Sequence, residues 1–112
     1  MALRPDVLRY KRDFDRLYSK GRSSGDKYIV IFHISNGQSY SRKAFLASKK
    51  VGGAVVRNRA RRLMKESFRK LEQDIKPGKD ILFIARRTIT NAGQAEVEAS
   101  MRKALIKNGL LQ

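Results

Sequence analysis

The sequence predicts a single α+β domain, an α/β sandwich in which helices cover a small mixed sheet. Three segments carry apolar residues at helical spacing, and three shorter segments show strand patterns, the clearest of them a run of β-branched and aromatic residues. In chain order these elements are helix, strand, strand, helix, strand, helix. A strand followed by a long helix and another strand favours this layered architecture, and 112 residues suit one domain.

An arm and a short helix are expected at the start of the chain. Residues 1–10 show little periodicity and are interpreted as a flexible arm. The residues that follow place Phe14, Leu17 and Tyr18 on one face of an amphipathic helix, which Gly21 can end.

A β-hairpin is expected next. After a loop at residues 21–25, residues 28–34 are β-branched and aromatic, which is typical of a strand. Asn36 and Gly37 tolerate the positive φ of a tight turn, so residues 40–48 are predicted to return beside the first strand.

The second half of the chain predicts a helix, a strand and a helix. Residues 54–75 repeat apolar side chains at helical spacing until Pro77, which cannot continue a helix. Residues 80–85 are a short apolar run bounded by charges, as in a buried strand. A polar loop at 86–93 leads to a last helix at about 94–107.

The net charge indicates a polyanionic partner. The chain has 26 Lys and Arg against 10 Asp and Glu, a formal charge of +16. Repulsion of that size weakens a small fold unless a polyanion relieves it, and nucleic acid is the commonest such partner. A membrane is disfavoured, because no stretch approaches the roughly 20 apolar residues of a spanning helix and no lipidation motif is present.

Cysteine usage and the N-terminal sequence bear on the compartment. The chain has no cysteine, which excludes disulfides and thiolate zinc sites and fits a reducing cytoplasm. No secretory signal is expected, because the first residues have no apolar core or small-residue cleavage site.

The long predicted helix concentrates positive charge. From Lys49 to Lys70 there are nine basic residues and one acidic residue, Glu66. Helical spacing sets five polar and basic side chains opposite the apolar face: Asn58, Arg61, Arg62, Lys65 and Arg69. Arg59 lies on the shoulder of this face and Arg57 lies nearer the apolar side.

A helix face of one charge sign suits phosphate binding. Arginine presents a planar fork of donors that meets two phosphate oxygens at once. The start of the helix adds free backbone N–H groups beside Lys49 and Lys50. Arg57 could instead extend along the apolar surface or pair with Glu72 or Asp74.

Residues 48–63, SKKVGGAVVRNRARRL, closely resemble the central signature of the bacterial ribonuclease P protein family. That signature is a Ser-Lys-Lys-x-Gly strand exit, then Ala-Val, then an Arg-Asn-Arg helix followed by a basic pair. The flanking segments resemble the family as well, so that the similarity covers about residues 8–106. The segments that carry it are Asp13-Phe14 with Tyr18 and Gly21, Tyr40-Ser41-Arg42, and residues 80–86.

A few positions depart from the family pattern. Ala44 stands where the family often has Gly, Ala60 where a larger apolar residue is common, and Tyr18 in place of a frequent Phe. The loop after Arg87 is short, which affects only the expected start of the last helix.

The resemblance implies a fold and a division of labour. The fold would include a left-handed crossover between parallel strands, as in one domain of a ribosomal protein. Catalysis would belong to an RNA subunit and the Mg²⁺ that this RNA needs, so no catalytic residue, metal ligand or bound cofactor is expected on the protein. The implied partners are the catalytic RNA and precursor tRNA in the cytoplasm, with no obligatory protein partner.

The same resemblance implies two RNA-binding sites. Nine residues would bind the RNA subunit: Lys49, Lys50, Arg57, Asn58, Arg59, Arg61, Arg62, Lys65 and Arg69. Four would line a cleft for the single-stranded 5′ leader of precursor tRNA: Phe14, Tyr18, Phe32 and Arg42. From the residue pattern alone the three aromatic residues would be interpreted as core; their stacking on bases is implied by the resemblance.

Other classes stay open on the residues alone. A self-sufficient protein nuclease would need paired carboxylates for a metal, or a histidine with a base partner. The only histidine, His33, lies on a predicted strand, and the acidic residues show no ligand spacing. A structural RNA-binding protein, such as a ribosomal protein, or a basic DNA-binding protein would share the charge and the layering but would not account for the 48–63 signature.

Overall fold

Four strands form one mixed sheet. The computed structural model describes residues 5–112, with strands β1 (Arg22–Gly25), β2 (Ile29–Ser35), β3 (Arg42–Leu46) and β4 (Lys79–Ala85). Their order across the sheet is β1-β2-β4-β3. β2 is antiparallel to β1 and β4, whereas β3 is parallel to β4.

Three helices cover the two faces of the sheet. They are α1 (Lys11–Lys20), α2 (Ala54–Leu71) and α3 (Gln94–Lys107), with short 3₁₀ turns at Glu72–Asp74 and Arg87–Asn91. α2 and α3 pack on one face, and α1 packs on the other. The predicted α+β sandwich around a small mixed sheet is confirmed, as are the three helices.

Alternation along β4 divides the core into two clusters. Leu82 faces α1 and packs with Leu17 and Ala44, whereas Ile81 and Phe83 face α2 and α3. The three β4 side chains are fully buried. Because burying such a side chain contributes about 1.5–3 kcal/mol, both layers of the sandwich depend on β4.

The predicted hairpin between β2 and β3 is wrong, because β4 lies between them. Gly37 does take a turn conformation, with φ of 72°, but the chain then leaves β2 instead of pairing with it. A strand that is apolar on both faces is stabilised most in the middle of a sheet, where both faces are covered. β4 therefore takes the central position, and β3 joins it in parallel through α2.

The sequence predicts a loop at residues 21–25, where the structure has β1. Its sequence, Arg-Ser-Ser-Gly, is polar and carries no strand signal, yet it pairs with β2 along its whole length. β1 is an edge strand, where polar residues meet solvent on the open side. The expected polar loop at 86–93 also contains a 3₁₀ turn whose Ile89 is buried.

The N-terminal segment is partly ordered against β3. Val7 bridges to Lys43, and the backbone N–H of Leu8 donates to the Lys43 carbonyl at 2.9 Å. Leu8 is buried, and Asp6 forms a 2.6 Å ion pair with Lys43. These contacts place residues 6–8 against β3, and residues 1–4 lie outside the described part of the chain. The flexible arm at residues 1–10 stays a prediction.

The crossover between β3 and β4 and the character of the helices bear on two expectations from sequence. β3, α2 and β4 form a parallel crossover unit between neighbouring strands, and the left-handed course implied for it stays a prediction. None of the helices within residues 5–112 has the length and apolar character of a membrane span.

Candidate nucleic-acid interface

The loop before α2 brings positive charge to the start of the helix. Gly52 has a φ of 155°, and a Cβ there would lie 2.9 Å from the Val56 side chain. Gly53 is the N-cap without a capping side chain, and the first turn holds no acidic residue. The helix therefore begins with uncapped N–H groups and a positive dipole end. Val55, 82% exposed, stands in the same turn.

The exposed side of α2 is basic, as predicted. We call it the basic helix face; it consists of Asn58, Arg61, Arg62, Lys65 and Arg69. Arg69 donates to Glu66 at 2.7 Å, and Arg61 donates to the Asn58 side chain. Within the described chain, Arg62 and Lys65 form no ion pair, so their charges are available to a polyanion.

Arg57 and Arg59 lie at the margin of this face and are half-buried. Arg59 Nη2 donates to the Ala92 carbonyl at 2.8 Å, which ties α2 to the 3₁₀ turn before α3. Arg57 Nε is buried and has no hydrogen-bond partner among the described residues. Among the described residues Arg57 forms no ion pair with Glu72 or Asp74, because both lie about four turns or more further along the chain from it. Glu72 contacts Lys43 instead, at 3.2 Å.

The predicted aromatic residues converge on the other face of the sheet. Tyr18 and Phe32 meet edge to face, with ring centroids 5.1 Å apart. Phe14 and Phe32 are half-buried against the core cluster below α1, whereas Tyr18 is 49% exposed. Phe14 and Phe32 are thus partly core residues, as the residue pattern predicts, whereas Tyr18 is not a core residue.

An apolar row extends this aromatic surface across the sheet. Ile84 pairs with Val30 on one side and with Leu46 on the other, so the three side chains share the α1 face. Val30 and Ile84 are half-buried and Leu46 is exposed. We call Phe14, Tyr18 and Phe32 together with this row the aromatic cleft.

Arg42, the fourth predicted cleft residue, is held by carboxylates. Its Nε donates to Asp80 Oδ1 at 2.8 Å and its Nη2 to Asp80 Oδ2 at 2.7 Å. Nη2 also lies 3.5 Å from Asp13 Oδ1 on α1. These hydrogen bonds with Asp80 are the main reason that the pKa of Arg42 is raised above its ordinary value.

The aromatic cleft and the basic helix face meet at the outer edge of β3. A cavity of about 510 Å³ is lined there by Phe14 and Leu46 from the cleft and by Lys65 and Arg69 from the helix. Lys49 and Lys50 follow β3 by a few residues and are exposed. One continuous surface therefore combines aromatic, apolar and basic groups.

A second basic cluster, which the sequence does not predict, lies beside this surface at the carboxyl ends of β3 and β4. Lys50, Arg86 and Arg87 line a cavity of about 300 Å³ together with the hydroxyl residues Ser48 and Thr88. Parallel pairing of β3 with β4 brings their carboxyl ends, and hence these residues, together. A hairpin would set residues 40–48 beside β2, and such a pairing does not bring Lys49-Lys50 next to Arg86-Arg87.

His33 and the acidic residues are the candidate groups for catalysis by the protein itself. His33 is buried, and its Nε2 lies 3.2 Å from the Asn108 side-chain oxygen. Residues 5–112 contain no group of three or more His, Cys, Asp or Glu that could hold a metal ion. An exposed arginine-rich helix next to an aromatic sheet surface defines a small nucleic-acid-binding protein of the α+β class.

Comparisons with known proteins give the family. The Ribonuclease P family model matches residues 3–109. The ribonuclease P protein component of Clostridioides difficile is 44% identical over 101 residues, 89% of this chain and 88% of that protein. That of a Thermoanaerobacter species is 39% identical over 110 residues, 96% and 95% of the two chains. The structure of the Staphylococcus aureus RNase P protein matches with a TM-score of 0.88 at 27% identity, over 97% of this chain and 100% of that chain.

This chain therefore belongs to the bacterial ribonuclease P protein family. It is the protein subunit of an endoribonuclease and acts in tRNA 5′ processing together with an RNA subunit. The resemblance inferred from residues 48–63 is confirmed.

Proposed function

We propose that the basic helix face, with Lys49 and Lys50, binds the RNA subunit. The support is charge and exposure: Arg62 and Lys65 carry no competing ion pair among the described residues, and the first turn of α2 has no acidic side chain. Arg57 and Arg59 contribute from the margin of the face. Arg59 has a second role, because it also joins α2 to the turn before α3.

The aromatic cleft binds the single-stranded 5′ leader of precursor tRNA in this proposal. Every base offers a face for stacking, so half-exposed rings such as Tyr18 bind single strands with little sequence preference. The protein thereby favours precursor over mature tRNA, which lacks the leader. The observation that carries the proposal is the cavity at the β3 edge, which both surfaces line.

The RNA subunit supplies the Mg²⁺-dependent chemistry in this proposal. The protein supplies cations that neutralise phosphate repulsion where leader and RNA subunit approach each other, and so lowers the Mg²⁺ concentration needed for assembly. We place this activity in the bacterial cytoplasm and require no further protein partner.

Binding of matched tRNAs tests the proposal. The affinity of the assembled holoenzyme is measured for a precursor with a short leader and for the same tRNA without it. The holoenzyme should bind the precursor more tightly, and the RNA subunit alone should discriminate less. Equal affinities for the two tRNAs in the presence of the protein would contradict a leader-binding role.

A further inference from the structure

We infer that Arg42 is a positioning residue: it holds α1 over the sheet through Asp13 and thereby sets the opening of the aromatic cleft. The inference rests on the proposed leader binding and refines it, because Arg42 acts through Asp13 and Asp80 instead of contacting the leader.

The first step is a fixed ion pair inside the sheet. Arg42 and Asp80 are direct partners across β3 and β4. The guanidinium meets both carboxylate oxygens, at 2.8 and 2.7 Å, in a two-point arrangement that restricts its rotation. Asp80 is 1% exposed, and Asn36 donates to its Oδ1 at 2.9 Å. The position of the guanidinium is thus set by the sheet.

The second step links this guanidinium to α1. Asp13 Oδ1 lies 3.5 Å from Arg42 Nη2, and the Asp13 side chain is only 12% exposed. Its Oδ2 is buried and has no hydrogen-bond partner among the described residues. Arg42 is therefore the cation that compensates a carboxylate carried on the inner side of α1.

The third step connects the anchor to the cleft. Asp13 precedes Phe14 in the chain and lies about one turn before Leu17 and Tyr18. If the cation is removed, two buried carboxylates face each other without compensation, which is unfavourable for the packed position of α1. α1 stays attached through Leu17, which is fully buried. A shift of the helix would separate Tyr18 from Phe32, whose contact forms the cleft wall.

Little of Arg42 is left to meet a phosphate. Its side chain is 20% exposed, and two of its three nitrogens already contact carboxylates. A direct phosphate contact and an anchoring role predict opposite effects of changing Asp13. If Arg42 contacts a phosphate, Asp13→Asn removes a competing carboxylate and should tighten leader binding. If Arg42 anchors α1, the same change weakens the anchor and should reduce leader binding.

The test is a cycle of Arg42→Gln, Asp13→Asn and the double variant in the holoenzyme. Each single variant should lower precursor affinity by about 5- to 150-fold, the equivalent of one stacked base. The double variant should lose no more than the worse single variant. Affinity for mature tRNA and for the RNA subunit should stay unchanged. Arg102→Gln on the outer surface of α3 removes the same charge and should change none of these affinities.

Two further readouts separate the outcomes. The salt dependence of leader binding should keep its slope in Arg42→Gln, whereas removal of a direct bond to a single-strand phosphate would lower it by about 0.7. Hydrogen exchange of the α1 amides in the free protein should accelerate in both single variants, with α2 and α3 unchanged. Unchanged α1 exchange, or tighter leader binding in Asp13→Asn, would overturn the inference.

The same design distinguishes the inference from the proposed function. If the wild-type holoenzyme does not prefer precursor over mature tRNA, the proposed leader site fails. The α1 exchange data then still decide whether Arg42 anchors the helix. If either single variant fails to fold, Arg42→Lys replaces it, because this change keeps the charge but loses the two-point geometry. Arg42→Lys should lower precursor affinity as well, but by less.

Discussion

Tyr18 of α1 and Phe32 of β2 meet edge to face across the cleft, with ring planes at 77°. Tyr18 is half exposed at this contact, whereas Phe32 packs against the cluster beneath α1. The pair is therefore fixed by the core on one side and open to a base on the other.

Replacing the exposed ring should affect leader binding more than folding. Tyr18→Ala should weaken precursor binding by about 1–3 kcal/mol and leave mature tRNA binding unchanged, because only the precursor carries a leader. Titration of both tRNAs against the holoenzyme measures this. Tyr10→Ala, which removes an exposed ring outside the cleft, is the control. Equal losses for both tRNAs would argue against a leader contact.

The unpaired cations of α2 should determine the salt dependence of assembly. Arg62→Ala with Lys65→Ala should weaken binding to the RNA subunit and reduce the log–log salt slope by about 0.9 for each duplex phosphate that is no longer neutralised. Binding isotherms at several salt concentrations give the slope. Arg102→Ala with Lys103→Ala on α3 is the matched control. If both double variants reduce the slope alike, RNA binding is not specific to the basic helix face.

Arg59 should matter for stability as well as for RNA binding. Its guanidinium donates to the Ala92 carbonyl at 2.8 Å in a half-buried position. Arg59→Ala should therefore lower the free energy of unfolding by about 1 kcal/mol, whereas Arg62→Ala on the open face should leave it unchanged. Urea denaturation of the free protein compares the two variants. An unaltered unfolding midpoint for Arg59→Ala would show that the hydrogen bond adds nothing to the fold.

Stability should fall on mild acidification because of His33. Burial lowers the pKa of His33 below its ordinary 6.5, and the charges of Lys79 and Arg22 act in the same direction against the hydrogen bond with Asn108. The unfolded state therefore binds a proton first, and stability that is complete above pH 6.5 is lost as the pH decreases below it. The slope is at most about 1.4 kcal/mol per pH unit.

Unfolding of the wild type and of His33→Gln between pH 7 and 5.5 checks the sign. The wild type should lose stability across this range, and the variant should be nearly flat. A wild type that gains stability on acidification would show that the folded protein favours the charged imidazole.

The helices could be predicted from sequence more reliably than the sheet. The spacing of Phe14, Leu17 and Tyr18, and the long apolar repeat of α2, are local signals that specify one face. Strand pairing is not local. Asn36-Gly37 indicated a turn correctly, but the burial of Ile81, Leu82 and Phe83 on both faces decided which strand is central.

The site shows the same division between local and tertiary information. The basic helix face follows from helical spacing alone. The neighbourhood of Lys50 with Arg86 and Arg87, and the ion pair of Arg42 with Asp80, depend on the parallel register of β3 and β4. A hairpin prediction cannot yield that register. The family resemblance therefore implies leader binding for Arg42, but it does not reveal that carboxylates hold the guanidinium.

Cleavage of a 5′-extended precursor tRNA by a bacterial ribonuclease P RNA at low Mg²⁺, with and without this protein, tests the central claim most directly. The account predicts that the protein restores cleavage at the mature 5′ end, that the protein alone cleaves nothing, and that Arg62→Ala with Lys65→Ala restores less. No gain in cleavage with any bacterial ribonuclease P RNA, over the range of protein concentrations that saturates RNA binding, would contradict it.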